Sequence, residues 1–422
     1  LVRFLRRAVT VKDVAIRQRA AEVLDQLGAA AAVAGATVGT EAVTATAELL
    51  LSLFTDRQLP VQQAAVLGYS RLVIAGLATV EPLLGVLRTG TRELLLPAAE
   101  GAAAQGQGAA LRPLLLLVRA GEEDERGRAL LALGSLGDPR ALQELETIAA
   151  GGTKEAPAEP PMQAAAVEAL GRILPKLTDP ESKRRVSDRV EELCETGSTT
   201  DIRCAAIRGL RSIGGERVRA RLGELLLNES LDDELRLEAA KQLGRLGDQA
   251  AEGALAEALN TWDDDVRLAA RRALYRLFPS ERIRVEFLAI DCRRQHEDII
   301  EPAVAYLLQE AEPAQLLPRL ATLKDYDLCV RLQYGLLRRQ TLALADLLKL
   351  LSHGEPRART AAGWLLGARA GSGATALSDE ALATVLRTEQ LEHERWQKTP
   401  SHRQAAEERV WVMLLWAVCN GA

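Results

Sequence analysis

Between Glu125 and Ala149 the chain reads ERGRALLALGSLGDPRALQELETIA, and apolar residues recur at Ala129, Leu130, Leu133 and Leu136 with helical spacing. Gly137-Asp138-Pro139 then breaks the pattern. A glycine there supplies a left-handed C-cap, the aspartate caps the following helix, and the proline suits its first turn. The spacing predicts a second helix over Arg140 to Ala149, with Leu142, Leu145, Ile148 and Ala149 along one side. The same arrangement returns from Leu243 to Leu259 as LGRLGDQAAEGALAEAL.

A motif recurs seven times along the chain: a basic or amide anchor, alanine three places on and leucine seven places on. The sets are Arg17/Ala20/Leu24, Arg126/Ala129/Leu133, Gln163/Ala166/Leu170, Arg203/Ala206/Leu210, Arg236/Ala239/Leu243, Arg267/Ala270/Leu274 and Arg359/Ala362/Leu366. Between the middle five the period is 37, 40, 33 and 31 residues. Such a period marks a solenoid, in which each unit buries its apolar face against its neighbours. The fold class expected is therefore all-α, in antiparallel helix pairs with strand content near zero.

Continuing the phase in both directions predicts about twelve helix pairs. Three stretches interrupt it. Ala29–Gly39 reads as a loop or frayed turn, Gly151–Pro161 (GGTKEAPAEPP) as a long exposed loop whose prolines cannot sit inside a helix, and Gly371–Ser378 as a shorter break. The phase resumes after each, so residues 1–422 are expected to form one elongated domain.

The segments ALxxLGDPRALxxL and DDDVRLAARRAL resemble HEAT repeats, in particular the short HEAT-like repeats first named from phycobilisome lyases. The likeness is clearest over residues 122–277. It is weaker over 1–121 and 278–422, where it rests on spacing and on partial units such as Ile300/Ala303/Leu307. Tetratricopeptide and ankyrin signatures are missing. The resemblance implies a right-handed α-α superhelix whose second helix of each pair lines the concave surface. It also implies that the recurring arginine pairs with turn aspartates such as Asp201, Asp232, Asp233 and Asp263 to Asp265, joining adjacent repeats.

Positions five and nine after each anchor share one helical face. Arg208, Lys241 and Arg272 stand at five, and Arg172, Arg245 and Arg276 at nine. On the resemblance these six cations form a stripe in the groove, a candidate site for an acidic protein or peptide. The alternative is a solvated face with long side chains lying over their neighbours. The last apolar run, Val410 to Val418, is apolar on every side although a terminal solenoid helix should have a polar outer face. Trp411, Met413 and Trp416 there are candidate contacts for a further segment, domain or subunit. The alternative is a well-buried final helix.

Composition narrows the function. The net charge is −5, and residues 163–277 hold 19 basic against 21 acidic residues, which makes a generic nucleic-acid binder unlike this chain. The five cysteines lack CxxC spacing and fit a reducing, cytoplasmic setting. No apolar run is long enough to cross a bilayer, and no secretory leader opens the chain. The chain starts at Leu1, which suggests a piece of a longer protein. His296-Glu297 and His393-Glu394 lack the second histidine of a zinc helix, and Gly106-Gln107-Gly108 is no phosphate loop. No catalytic, metal or cofactor residue is therefore assigned. A non-catalytic scaffold that binds a protein or peptide by its groove or its C-terminal end is expected. The alternatives from the resemblance are a bilin lyase-like enzyme and a DNA-lesion glycosylase.

Overall fold

A computed structural model describes residues 2–34, 40–154, 156–294, 296–323, 325–339, 343–353, 355–371, 378–398 and 413–414. The chain forms two compact units, Leu1–Ala254 and Leu255–Ala422. The first contains α1 (Val2–Ala8), α2 (Val14–Ala34), α3 (Thr40–Ser52), α4 (Leu59–Ile74), α5 (Glu81–Thr89), α6 (Arg92–Ala104) and α7 (Leu111–Ala120). It continues with α8 (Glu123–Leu136), α9 (Leu142–Ala149), α10 (Pro160–Ile173), α11 (Pro180–Thr196), α12 (Thr200–Ile213), α13 (Gly215–Leu227) and α14 (Asp233–Leu246). The division between the units falls within α15 (Glu252–Ala258). The second unit then contains α16 (Asp264–Leu277), α17 (Arg282–Ile290), α18 (Glu297–Glu310), α19 (Pro313–Leu316), α20 (Arg319–Thr322), α21 (Tyr326–Leu337), α22 (Leu344–Leu350), α23 (Pro356–Gly371) and α24 (Asp379–Lys398). The chain is all-α; among the described residues the one β feature is an isolated bridge between Gly152 and Pro157.

In the first unit the even-numbered helices from α2 to α14 pack each on the next, and the odd-numbered helices cover them, pairing in sequence order. In the second unit α16, α18, α21 and α23 stack in the same way. The recurring leucines explain the stacking: Leu24, Leu133, Leu170, Leu210, Leu243, Leu274 and Leu366 are all fully buried. The alanines of the motif are buried with them. Turn chemistry follows the sequence. Gly137 and Gly247 adopt the left-handed conformation that ends their helices, at φ 74° each. Asp138 and Asp248 accept the backbone N–H two residues on, from Arg140 and Ala250, at 3.0 Å each.

Two boundaries differ from the reading of the sequence. Helix α10 begins at Pro160, so Pro160 and Pro161 occupy its first turn, where a missing N–H costs nothing. Helix α2 runs through Ala34, because Ala-rich sequence propagates a helix without needing a large buried face. Residues 35–39 and 372–377, within two of the expected breaks, lie outside the described residues.

The anchors close the gaps between turns. Arg17 spans its own turn and the next repeat's: it donates to Val11 O and Lys12 O at 2.9 and 2.8 Å, and to both oxygens of Asp56 at 2.6 and 3.0 Å. Arg267 repeats this with Thr261 O and Trp262 O at 2.9 and 2.8 Å and with both oxygens of Asp298 at 3.2 and 2.9 Å. Arg359 donates to His353 O at 2.9 Å and pairs with the buried Glu392 at 3.1 Å. Arg203 and Arg236 reach carbonyls of the preceding helix, Cys194 O at 3.1 Å and Leu226 O at 3.2 Å. Arg203 lies 3.6 Å from Asp232, whereas Arg236 bonds Asp233 of its own turn at 2.8 Å. The aspartate pairing implied by the resemblance is thus present, and at Arg17 and Arg267 it runs forward to the next repeat. Arg126 departs from it: its Nε is buried with no partner among the described residues.

The closest approach between stacked helices falls at glycine, beyond the motif alanine. A Cβ on Gly171 of α10 would lie 2.2 Å from Gly209 Cα of α12, and one on Gly134 of α8 would lie 2.6 Å from Ala169 O of α10. Gly127, also helical, would meet nothing within 4 Å. Gly171→Ala should therefore cost about 1–3 kcal/mol by forcing two backbones apart, while Gly127→Ala should stabilise by about 0.5–1 kcal/mol. Urea denaturation of both variants checks this; equal and opposite-to-expected shifts would refute the stacking register.

Asp56 supplies a pH-dependent contact. The Arg17 guanidinium and the Gln58 and Arg57 N–H groups hold its carboxyl below the ordinary carboxylate value, although burial works the other way. A lowered folded value means that the stabilisation is present above the unfolded value of about 3.9 and is lost as pH falls through the folded one. Asp56→Asn should lower the thermal midpoint at pH 7 and make much less difference at pH 2.5. Scanning calorimetry at the two pH values measures it.

Candidate interaction faces

The fifth and ninth positions after each anchor lie on the solvent side of the stacked helices, as their spacing requires. In the first unit one acid, Glu168, stands among the cations there. Arg172 donates to Glu168 Oε1 at 2.6 Å, and Arg208, on the next stacked helix, donates to Glu168 Oε2 at 2.7 Å. Arg172 also reaches Ser135 Oγ at 3.4 Å. Glu168 is itself a fifth-position residue, so an acid sits between two of the six cations. Burial disfavours its ionisation, but Arg208 and Arg172 outweigh that and hold its carboxyl below the usual range. Burial likewise disfavours charge on Arg208, and the bond to Glu168 more than compensates.

Lys241 lies 4.0 Å from Glu238 and is exposed. Arg245 is exposed and has no counter-ion among the described residues. The first unit therefore brings Arg172 and Arg208 together around one carboxylate and leaves Lys241 and Arg245 open to solvent.

In the second unit Arg272 and Arg276 of α16 are exposed and without a counter-ion among the described residues. Farther along the stack the same two positions hold Ala305 and Gln309 on α18, Tyr334 on α21 with Arg338 at its C-cap, and Trp364 and Ala368 on α23. None of these is acidic. Tyr334 and Trp364 meet edge to face, with ring centroids 4.9 Å apart and planes at 71°. The sequence reading missed this pair because the anchor of α21 is Cys329 instead of arginine. Its Sγ lies 4.0 Å from Leu320 O, nine residues back, which is the offset at which Arg203 finds Cys194 O. Leu332 and Leu336 then take the two motif positions and are fully buried. A spacing of 30 residues back from Arg359 was the available signal.

At the C-terminal end, Trp411 and Trp416 lie outside the described residues. Met413 and Leu414 are helical, Leu414 is fully buried, and Met413 lies so close to Gly363 of α23 that a Cβ there would come within 3.2 Å of it.

Another polar cluster is centred on a buried carboxylate. Glu286 of α17, fully buried, accepts from Tyr275 OH at 2.6 Å, from Arg271, and from Arg282 Nε at 3.4 Å. Arg282 in turn stacks 4.0 Å from the Tyr306 ring centroid. Burial, then the bond to Glu286, pushes the Tyr275 hydroxyl up. Such a carboxylate has its lone pairs committed and ties α16 to α17. Burial also pushes the Cys194 and Cys292 thiols up to about 12 and Cys204 to about 11, so they stand protonated. Among the described residues no three or more His, Cys, Asp and Glu side chains gather to hold a metal ion, and no helix is long and apolar enough to cross a membrane.

Comparison with known proteins agrees with this architecture. HEAT repeats match residues 187–275, which span α12, α14 and most of α16 with the anchors Arg203, Arg236 and Arg267. No curated protein matches the chain. Among solved structures the chain is similar to an engineered protein, at 17% identity over 98% of each chain with a TM-score of 0.35. It is also similar to the complex of CpcE and CpcF of phycocyanin lyase from Nostoc sp., at 22% identity over 57% of this chain and 92% of that one, with a TM-score of 0.37. A structure concerning a phosphorylation switch in the interaction between cadherin and beta-catenin matches at 12% identity over 99% of each chain, with a TM-score of 0.32. By its anchored helix pairs and the match over residues 187–275, the chain carries HEAT repeats.

Proposed function

We propose that this chain is a non-catalytic scaffold that binds an acidic protein or peptide on the open face of its stacked helices, in the cytoplasm. The observation that carries the reading is the pair of exposed guanidinium groups on Arg272 and Arg276 of the second unit, which have no counter-ion among the described residues. Both stand on α16, whose register is fixed by the buried anchor Arg267, so their positions are set before a partner arrives. Protonated, buried thiols at Cys194, Cys204 and Cys292 suit a reducing compartment, where no bridge is needed. The internal saturation of Glu286 leaves that cluster without a free acid or base, which favours a binding role over a catalytic one.

The test is selection of peptides from a displayed random library on the intact chain. The peptides recovered should be rich in Asp and Glu, and their affinity should fall steeply between 50 and 300 mM salt, concentrations spanning a Debye length of about 10 Å. Changing Arg272 and Arg276 together to Glu should weaken them by about tenfold or more, with the helical dichroism unchanged. Peptides without acidic enrichment, or equal binding by the double variant, would overturn the proposal.

A further inference from the structure

The open face of the second unit changes character along the stack: guanidinium groups on α16 give way to rings on α21 and α23. Tyr334 is 52% exposed although it touches Trp364, so the edge-to-face pair leaves ring surface open to solvent. Rings of this kind offer a large contact area and lose little rotamer freedom on binding. Both are held from behind. Gly335, next to Tyr334, has no Cβ, and one added there would come within 2.3 Å of Leu308 Cδ1, so α18 sits tightly against α21 at this point. Helix α23, which carries Trp364, is tied by the buried Arg359–Glu392 pair and by Arg357, which donates to Leu323 O at 2.9 Å.

Arg338 stands one helical turn beyond Tyr334, exposed and with no counter-ion among the described residues. No carboxylate occupies the fifth or ninth position on any of the four stacked helices of this unit. An exposed aromatic pair beside an uncompensated guanidinium is therefore a composite surface, apolar at one end and cationic at the other.

We propose that the Tyr334–Trp364 pair and Arg338 form a docking site for a short acidic segment of another protein that carries an aromatic side chain. The aromatic residue packs on the two rings, and a carboxylate one or two residues away meets Arg338. This inference rests on the partner-binding reading above but concerns different residues. Charge complementarity selects the occupant. A chain with net charge −5 offers no continuous phosphate track to a nucleic acid, whereas an acidic peptide needs only the local guanidinium groups.

The experiment uses the full chain and a fluorescein-labelled nonapeptide of three Glu-Glu-Phe repeats, followed by fluorescence anisotropy. Tyr334→Ala and Trp364→Ala should each weaken binding by about tenfold or more, as removal of a central aromatic contact does. Tyr334→Phe, which keeps the ring, should bind as the parent does, and thermal melts should confirm that each variant is folded. Arg338→Glu should weaken binding and flatten its salt dependence. The same peptide with Ala for Phe should bind at least tenfold less well, an order set by the same contact.

Failure of the peptide to bind the parent chain overturns the site, whatever peptides the library selects. Binding that is lost in the Arg272/Arg276 variant but untouched by Tyr334→Ala and Arg338→Glu also overturns it while leaving the scaffold reading intact. Displacement of the peptide by oligo-dT at equal concentration would reassign the rings to base stacking. A change to a dimer that buries Tyr334 in light scattering would reassign them to a second copy of the chain.

Discussion

A guanidinium closed between two successive turns sets the register of this chain. Burying a charge is unfavourable unless it is paired and its donors are used. Arg267 meets that condition with two carbonyls of its own turn and both oxygens of Asp298 in the next repeat. A shift of either helix by one residue would leave a buried cation with unmatched donors. The pair therefore contributes mainly by excluding other registers, since an apolar replacement of similar volume often matches a buried ion pair in net stability. Leucines bury area in many registers; the arginine accepts one.

Where the anchor is not arginine, part of its work is kept. Gln163 donates to Ala158 O at 2.7 Å, five residues back, as Arg17 does to Lys12 O and Arg267 to Trp262 O. It has no charge to send forward. The glycines at Gly171 and Gly209 take over there, letting α10 and α12 approach until backbone meets backbone. At α21 the polar anchor shrinks to the Cys329 thiol, and Gly335 again allows close packing against Leu308. Either a polar anchor or a small-residue contact can thus hold the register of a helix pair.

This explains what the sequence made legible. The seven anchor/Ala/Leu sets, six with Arg and one with Gln, and the Gly-Asp turns carry their physics in adjacent residues, so helices, caps and buried leucines could be read directly from Leu133, Gly137 and Asp138. The partners of the anchors could not be fixed in the same way, because Asp56 and Asp298 lie 39 and 31 residues away. On the candidate face, counting cations found Arg172 and Arg208 but passed over Glu168, whose acid occupies the same register position. The Tyr334–Trp364 pair escaped notice for the converse reason: with Cys329 at the anchor, nothing local showed that the two rings share a face.

The two units use one helical face in different ways, and the difference follows from where the carboxylates fall. In the first, Glu168 at the fifth position draws in Arg172 from its own helix and Arg208 from the next, and those two cations share one carboxylate. That arrangement stiffens the surface and weakens its attraction for anions. In the second, the aspartate at the start of α18 is Asp298, and it is spent on Arg267 within the turn. The fifth and ninth positions are then left without acids, and Arg272, Arg276 and Arg338 keep their full charge toward solvent. A chain that is acidic overall can present a cationic face in this way, because its acids are placed in turns where they bind the anchors. The same placement that fixes the fold exposes the surface on which a partner can bind.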